Sequence, residues 1–236
     1  MADNKRTVVV AGVGAGLGDE ICKKLVKVGY RVVGLSRSAS GNEALAEKLG
    51  AHNFFSVSCD LTDVAQVDLA ISKVEEKFGM VSVYVHNAAY LHMQAFVDTP
   101  PTEFESLWRT VCLGAVHGTQ RVLPSMLEKK SGVILFIGAT ASVKAGADFS
   151  AFSSAKFALR GLSQSMAREL GPSGIHVAHL VIDGVMWGKR AKESFGMSEG
   201  QCLKPASVAK TCEQLIGQDQ SAWTHELDIR PAVETF

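Results

Sequence analysis

Hydrophobic positions along this chain fall into short β-branched runs separated by longer stretches in which apolar residues return every three or four positions. The runs are RTVVVAG (6–12), YRVVGLS (30–36), HNFFSVS (52–58), VSVYVHN (81–87), GVILFIG (132–138), GIHVAHLVI (174–182) and WTHELDI (223–229). Strand patterns alternating with amphipathic helical patterns are the signature of βαβ units around a buried parallel sheet. They predict an α/β fold with a doubly wound parallel sheet of about seven strands flanked by helices, in a single domain over residues 1–236.

The most clearly marked helix begins at PPTEFES, where Thr102 and Glu105 have capping-box spacing, and its pattern runs to about Lys129. Gly114 and Gly118 flatten one of its faces. A second long helix spans 150–171, and both helices are apolar on more faces than one sheet covers, which predicts a homodimer or homotetramer. The carboxyl-terminal ELDIRPAVETF offers a second interface. The segment 183–205 mixes glycine, charge and aromatics after the sixth strand, and reads as an irregular lid over a site.

Composition narrows the partners. Twenty-four basic residues balance twenty-four acidic ones, and no basic block or arginine-rich tail offers a footprint for nucleic acid or an anionic membrane. No run of apolar residues is long enough to span a bilayer, and the amino terminus carries no signal-peptide pattern. Five scattered cysteines without a C-x-x-C pair point to a reducing, cytoplasmic setting and away from a metal site. A small-molecule substrate is the expected partner.

Candidate chemistry starts between the first strand and the first helix. AGVGAGLG (11–18) places glycines at 12, 14, 16 and 18, where a chain turns tightly and lets an anion approach the backbone at a helix amino terminus. Position 17 is leucine, so Gly12, Gly16 and Gly18 give G-x-x-x-G-x-G. Further along come CDLTD with Asp60 and Leu61, HNAA with Asn87 and Ala88, FSSAK with Phe152 and Lys156, and LVIDG with Gly184.

Taken together and in this order, these motifs resemble those of the short-chain dehydrogenase/reductase family, over nearly the whole chain. The resemblance implies a Rossmann fold and dinucleotide binding by Gly12, Gly14, Gly16, Leu17, Gly18, Asp60, Leu61, Asn87, Ala88, Gly184 and Lys156. It also implies hydride transfer between a nicotinamide and a carbonyl or alcohol. The second strand ends in Ser36, Arg37 and Ser38 in place of an acidic residue, and a guanidinium between hydroxyls suits a 2′-phosphate. NADP is therefore expected, with NAD the less favoured alternative.

The catalytic positions that the resemblance implies are altered. Phe152 stands where the family has its proton-donating tyrosine, Ala139 falls at the serine position, and Cys112 at the asparagine of the proton relay; Lys156 is kept. Of the three tyrosines, Tyr30 and Tyr84 belong to strand regions, which leaves Tyr90, with His92 two residues on, as candidate substitutes overhanging the nicotinamide. Thr140 and Ser142 are candidate hydroxyls, although such residues commonly cap loop backbone. Tyr90, His92, Met93, Phe96, Met186 and Trp187 form the expected pocket rim. Two classes of function follow: an oxidoreductase with an altered site, and a protein that binds the dinucleotide as a sensing or structural ligand.

Overall fold

The computed structural model describes residues 5–38 and 42–234. Seven parallel strands form one sheet in the order β3-β2-β1-β4-β5-β6-β7. They are β1 (Thr7–Ala11), β2 (Arg31–Ser36), β3 (Phe54–Ser58), β4 (Val81–His86), β5 (Gly132–Ile137), β6 (Ile175–Ile182) and β7 (Glu226–Ile229). The five central strands are buried on both faces almost throughout, which is why they read as continuous Val/Ile/Leu runs rather than as alternating patterns.

Helices cover the two faces. Against one lie α1 (Leu17–Lys27), α2 (Glu43–Leu49) and α8 (Pro205–Ile216), packing Ile21, Leu25, Leu45, Val208 and Leu215 on Val8, Val83 and Leu135. Against the other lie α3 (Val64–Phe78), α4 (Pro101–Trp108), α5 (Gly114–Lys129) and α6 (Ser150–Leu170), which bury Ile71, Leu107, Val122 and Leu159 on Tyr84, Ile134 and Phe136. The strand order reverses direction between β1 and β4, and the crevice beyond the carboxyl ends of those two strands is where a doubly wound sheet accommodates a ligand.

Two boundaries and one helical path differ from expectation. The capping box at Thr102 and Glu105 does not form: Pro100 is the N-cap and Pro101 the first helical residue, whose missing N–H removes one donor that a cap would have had to satisfy. The helical path does run on to Lys129, but through a π-turn at Arg109–Leu113 that contains Cys112. The seventh strand is confined to Glu226–Ile229, because residues 220–222 form a 3-10 turn just before it.

The segment 183–205 is less irregular than expected. Trp187 N donates to Leu203 O at 2.8 Å and Leu203 N to Val185 O at 2.9 Å, so its ends are stapled together around the short helix α7 (Lys189–Glu193). No helix among the described residues is long and apolar enough to cross a membrane. All five cysteines are free and buried.

Gly118 shows how tightly α5 lies on the sheet, since a Cβ there would overlap the phenol of the fully buried Tyr84. Gly161, on the exposed side of α6, has nothing within 4 Å of the corresponding position. Gly118→Ala is expected to destabilise the fold by about 1–3 kcal/mol through overpacking, whereas Gly161→Ala stabilises it by up to about 1 kcal/mol through helix propensity. Thermal unfolding of the two variants checks both signs.

Candidate active site

The glycines of the first turn do different jobs. Gly12 has φ +95°, and a Cβ there would sit 2.5 Å from Ala88 N, so β4 and the segment beyond it close directly on its backbone. A Cβ on Gly18 would lie 2.7 Å from Gly12 O. Gly16 has φ +116° and is the N-cap of α1; no side chain caps the helix, and its Cβ position is open. Gly14 is also open, with no such backbone demand. Asn87 ties the turn to β4 by donating from Nδ2 to Gly12 O at 2.7 Å, while its backbone N–H reaches Ala11 O at 2.8 Å. The result is an uncapped helix amino terminus at the floor of a crevice, with its partial positive charge available to an anion.

Two clefts meet at this turn. The first, of about 820 Å³, lies over the ends of β1, β2 and β4, and Gly14, Ser36, Arg37, Asp60, Leu61 and Asn87 are among its walls. Ala88 also lines it. Arg37 stands exposed at its rim. The Ser36 hydroxyl donates to Ser38 O and accepts from Asn42 Nδ2, both at 2.8 Å, which fixes the end of β2. Asp60 Oδ1 accepts from Thr62 N at 2.9 Å and Thr62 Oγ1 at 2.8 Å, which locks the turn after β3.

The second cleft, of about 790 Å³, continues from Gly16 and Leu17 past Ala139, Phe152 and Gly184 to Trp187. Two hydroxyl residues line it, Thr140 and Ser153, and the buried Ser153 Oγ has no hydrogen-bond partner among the described residues, whereas Ser142 lies outside the lining. Thr140 Oγ1 accepts from Gly184 N at 3.2 Å, and Ser142 Oγ, fully buried, accepts from Ala139 N at 3.1 Å.

Phe152 and Lys156 share one face of α6, as their spacing requires, but they do not share a surface. The Phe152 ring lines the second cleft; Lys156 lies beneath it, 3% exposed, and lines neither cleft. Lys156 Nζ donates to Ile137 O at 2.7 Å and stands 5.8 Å from the Phe152 ring centroid, within cation–π range. Burial pulls its pKa down to about 8.

Around this ammonium runs a row of residues that the sequence reading did not single out. In register across the sheet, His86 pairs with Phe136, Phe136 with His179, and His179 with Glu226. Arg160 of α6 donates two 2.7 Å hydrogen bonds to the Glu226 carboxylate, and His179 Nδ1 lies 3.4 Å from Glu226 Oε2. Both histidines are buried. Burial, with the nearby Lys156 charge adding to it, pushes His86 down to about 3 and holds His179 well below the usual imidazole range, so both are neutral. The only sequence signal was a histidine inside each of two apolar strands; seeing them as a row requires the strand register.

The two candidate proton donors, Tyr90 and His92, do not line the second cleft. Tyr90 lines the first cleft with Arg37, not the space beside Phe152; burial and the Glu103 carboxylate push its phenol up to about 12. His92 lies 3.2 Å from Glu103 Oε1 and lines neither cleft. Met93 and Phe96 are exposed, and Phe96 packs edge-on to Phe104. Of the expected rim, only Met186 and Trp187 face the second cleft. The loop after β4 places Leu91 on the second cleft, turns Tyr90 and His92 to Glu103 of α4, and is tied to the segment before α6 by Gln94 N donating to Asp148 O at 2.9 Å. Cys112 is buried, and burial raises its thiol pKa, as for an inert core cysteine.

The short chain dehydrogenase family matches residues 6–193. Oxidoreductase BOA17 of Botryotinia fuckeliana is 30% identical over 214 residues, covering 90% of this chain and 78% of that protein. A short-chain dehydrogenase from Rhodopseudomonas palustris superposes with a TM-score of 0.82 at 33% identity, over 96% of this chain and 98% of the other. A tyrosine-to-phenylalanine variant of ElxO with NADPH bound has the same fold, with a TM-score of 0.86 at 24% identity over 95% and 96% of the two chains. With its glycine turn, its seven-stranded parallel sheet and these matches, the chain belongs to the short-chain dehydrogenase/reductase family.

Proposed function

We propose that this protein is an NADP(H)-dependent short-chain oxidoreductase with an atypical Phe-x-x-x-Lys site, acting on a small-molecule carbonyl, alcohol or activated double bond. One observation carries the reading: the uncapped amino terminus of α1, opened by Gly12, Gly16 and Gly18, joins a rim bearing Arg37 to a largely apolar cleft beside Phe152. The donor set fits the dinucleotide. Backbone N–H groups and the helix terminus suit a diphosphate, and the Arg37 guanidinium suits a 2′-phosphate that an acidic residue would repel. When bound, the reduced nicotinamide supplies a hydride.

The chain's own residues determine what else can happen. Phe152 excludes water and offers no proton, Ala139 offers no hydroxyl, and Lys156 supplies a buried positive charge from below. A structural neighbour with phenylalanine in place of a tyrosine holds NADPH, which supports binding without a full set of phenols in this fold. A second reading, a catalytically weak or inactive NADP(H)-binding sensor or scaffold, is favoured by the way Phe152 seals Lys156 from the cleft. The free cysteines support a cytoplasmic setting. Exposed Trp108 of α4 and Phe157 of α6 support a homodimer or homotetramer through those packed helices.

Three outcomes follow. Arg37→Ala should weaken NADPH binding about tenfold in a calorimetric titration and leave NADH unchanged, since only the phosphate contact is removed. The double variant Phe152→Tyr with Ala139→Ser should gain carbonyl reduction by about 10²- to 10⁴-fold over the parent in an NADPH-oxidation assay; if NADPH binds and no activity appears, the sensor reading is favoured.

The third concerns pH. The Lys156 pKa is depressed to about 8 in the folded protein, so its charge is present below that value and lost as pH rises through it. NADPH affinity should therefore fall above about pH 8, and in Lys156→Met this step should be absent. Folding stability of the parent should rise between about pH 8 and the unfolded lysine value near 10.4, where only the unfolded chain still binds the proton.

A further inference from the structure

The second cleft departs from the charge balance of the chain. Twenty-four basic residues match twenty-four acidic ones overall, yet this cleft is bordered by Lys144, Lys189 and Arg190 against the single carboxylate of Glu234. The cations come from two walls. Lys144 follows the turn after β5, where its backbone N donates to Thr140 O at 3.0 Å; Lys189 and Arg190 open α7, which is tied down by Ser194 N donating to Arg190 O and Met197 N to Ala191 O, both at 2.9 Å.

Lys189 stands 3.9 Å from Glu193, whereas the Lys144 and Arg190 side chains have no hydrogen bond or ion pair among the described residues. Glu234 reaches the cleft on the tail after β7, with its N–H turned back to Pro231 O at 3.0 Å and its Oε2 over Gly184. With Lys189 set against Glu193, two unpaired cations facing one carboxylate leave a single positive charge in excess. One carboxylate on a ligand would balance it.

Between these charges the walls are apolar, and they include the rings of Phe149, Phe152, Trp187 and Phe195. A cavity of about 790 Å³ is large enough for a small organic molecule, and low-dielectric walls with one sign of charge at the rim concentrate the field on a ligand of the other sign. A second feature is independent of the charges. Ser153 lines the same cleft, is 3% exposed, and its Oγ has no partner among the described residues. Buried polar groups are nearly always hydrogen-bonded, so this hydroxyl marks a wall that a polar ligand atom completes.

We infer that the second cleft takes a carboxylate-bearing substrate, an oxo acid or the corresponding hydroxy acid, with its apolar body among the rings and its carboxylate held by Lys144 and Arg190. The inference rests on the NADP(H)-dependent oxidoreductase reading and narrows it to organic acids. The test is calorimetric titration with 4-phenylbutanoate and with 4-phenylbutanamide, which has the same shape without the charge, on the protein alone and on the protein saturated with NADPH. The carboxylate should bind about tenfold more tightly than the amide at about 50 mM salt, and the advantage should shrink to about twofold at about 500 mM as the exposed cations are screened.

The double variant Lys144→Ala with Arg190→Ala should lose the advantage, and Glu234→Gln should increase it about two- to threefold. In turnover with NADPH, 4-phenyl-2-oxobutanoate should have a KM about tenfold below that of its amide, again only with both cations present. Equal affinity for carboxylate and amide, or an advantage that survives the double variant, would overturn the inference while NADPH binding keeps the oxidoreductase reading intact. A loss of NADPH affinity in Arg190→Ala as large as the loss for the carboxylate would overturn it too, since the cation would then serve the dinucleotide. If NADPH does not bind at all, the oxidoreductase reading fails, and the titration of the protein alone still decides whether the cleft takes the carboxylate.

Discussion

No side chain can stand where β1 turns toward α1. The backbone of Gly12 meets that of Ala88 so closely that a single Cβ would collide with the chain beyond β4, and Gly18 packs on Gly12 with no more room. This contact sits at the point where the strand order reverses, so it sets the spacing of the two strands whose ends form the crevice. It also leaves the amino terminus of α1 without a side-chain cap, with Asp19 N turned back to Gly14 O at 3.3 Å. The arrangement of the two clefts follows from it: one extends toward Arg37, the other toward Phe152, and they meet at Ala15 and Leu17.

Beneath the second cleft the molecule keeps a charge that it has covered over. A buried ammonium is costly unless it is hydrogen-bonded and its surroundings are polarisable. Lys156 has the Ile137 carbonyl, the face of the Phe152 ring, and neutral rather than protonated histidines on the sheet below. Glu226, whose carboxylate is neutralised by the two-pronged Arg160 contact, lies at the outer end of the same row. Phe152 packs over the lysine and has no group that could exchange a proton with a ligand.

Much of this was legible in the linear pattern, for identifiable reasons. Parallel strands covered on both faces read as unbroken apolar runs, so the sheet could be anticipated from runs such as VVVA and VILFI. The roles of Gly12, Gly16 and Gly18 are local backbone demands, and their spacing could be read directly. The start of α4 was misplaced because two adjacent prolines offered a competing helix start to the capping box. That Tyr90 lies on the first cleft and His92 beside Glu103 was not legible, because the direction of an irregular loop after a strand has no periodicity to reveal it. The row from His86 to Glu226 depends on strand register, and Glu234 reaches its cleft only through the tertiary fold of the tail; neither leaves a trace in spacing along the chain.

The most direct test of the central claim is a crystal structure of the protein soaked with NADPH. The dinucleotide should lie along the glycine turn with its diphosphate at the amino terminus of α1, its 2′-phosphate within hydrogen-bonding reach of Arg37, and its nicotinamide in the second cleft beside Phe152. Crystals that show no bound dinucleotide at millimolar NADPH, or that place it away from the turn, would contradict the account.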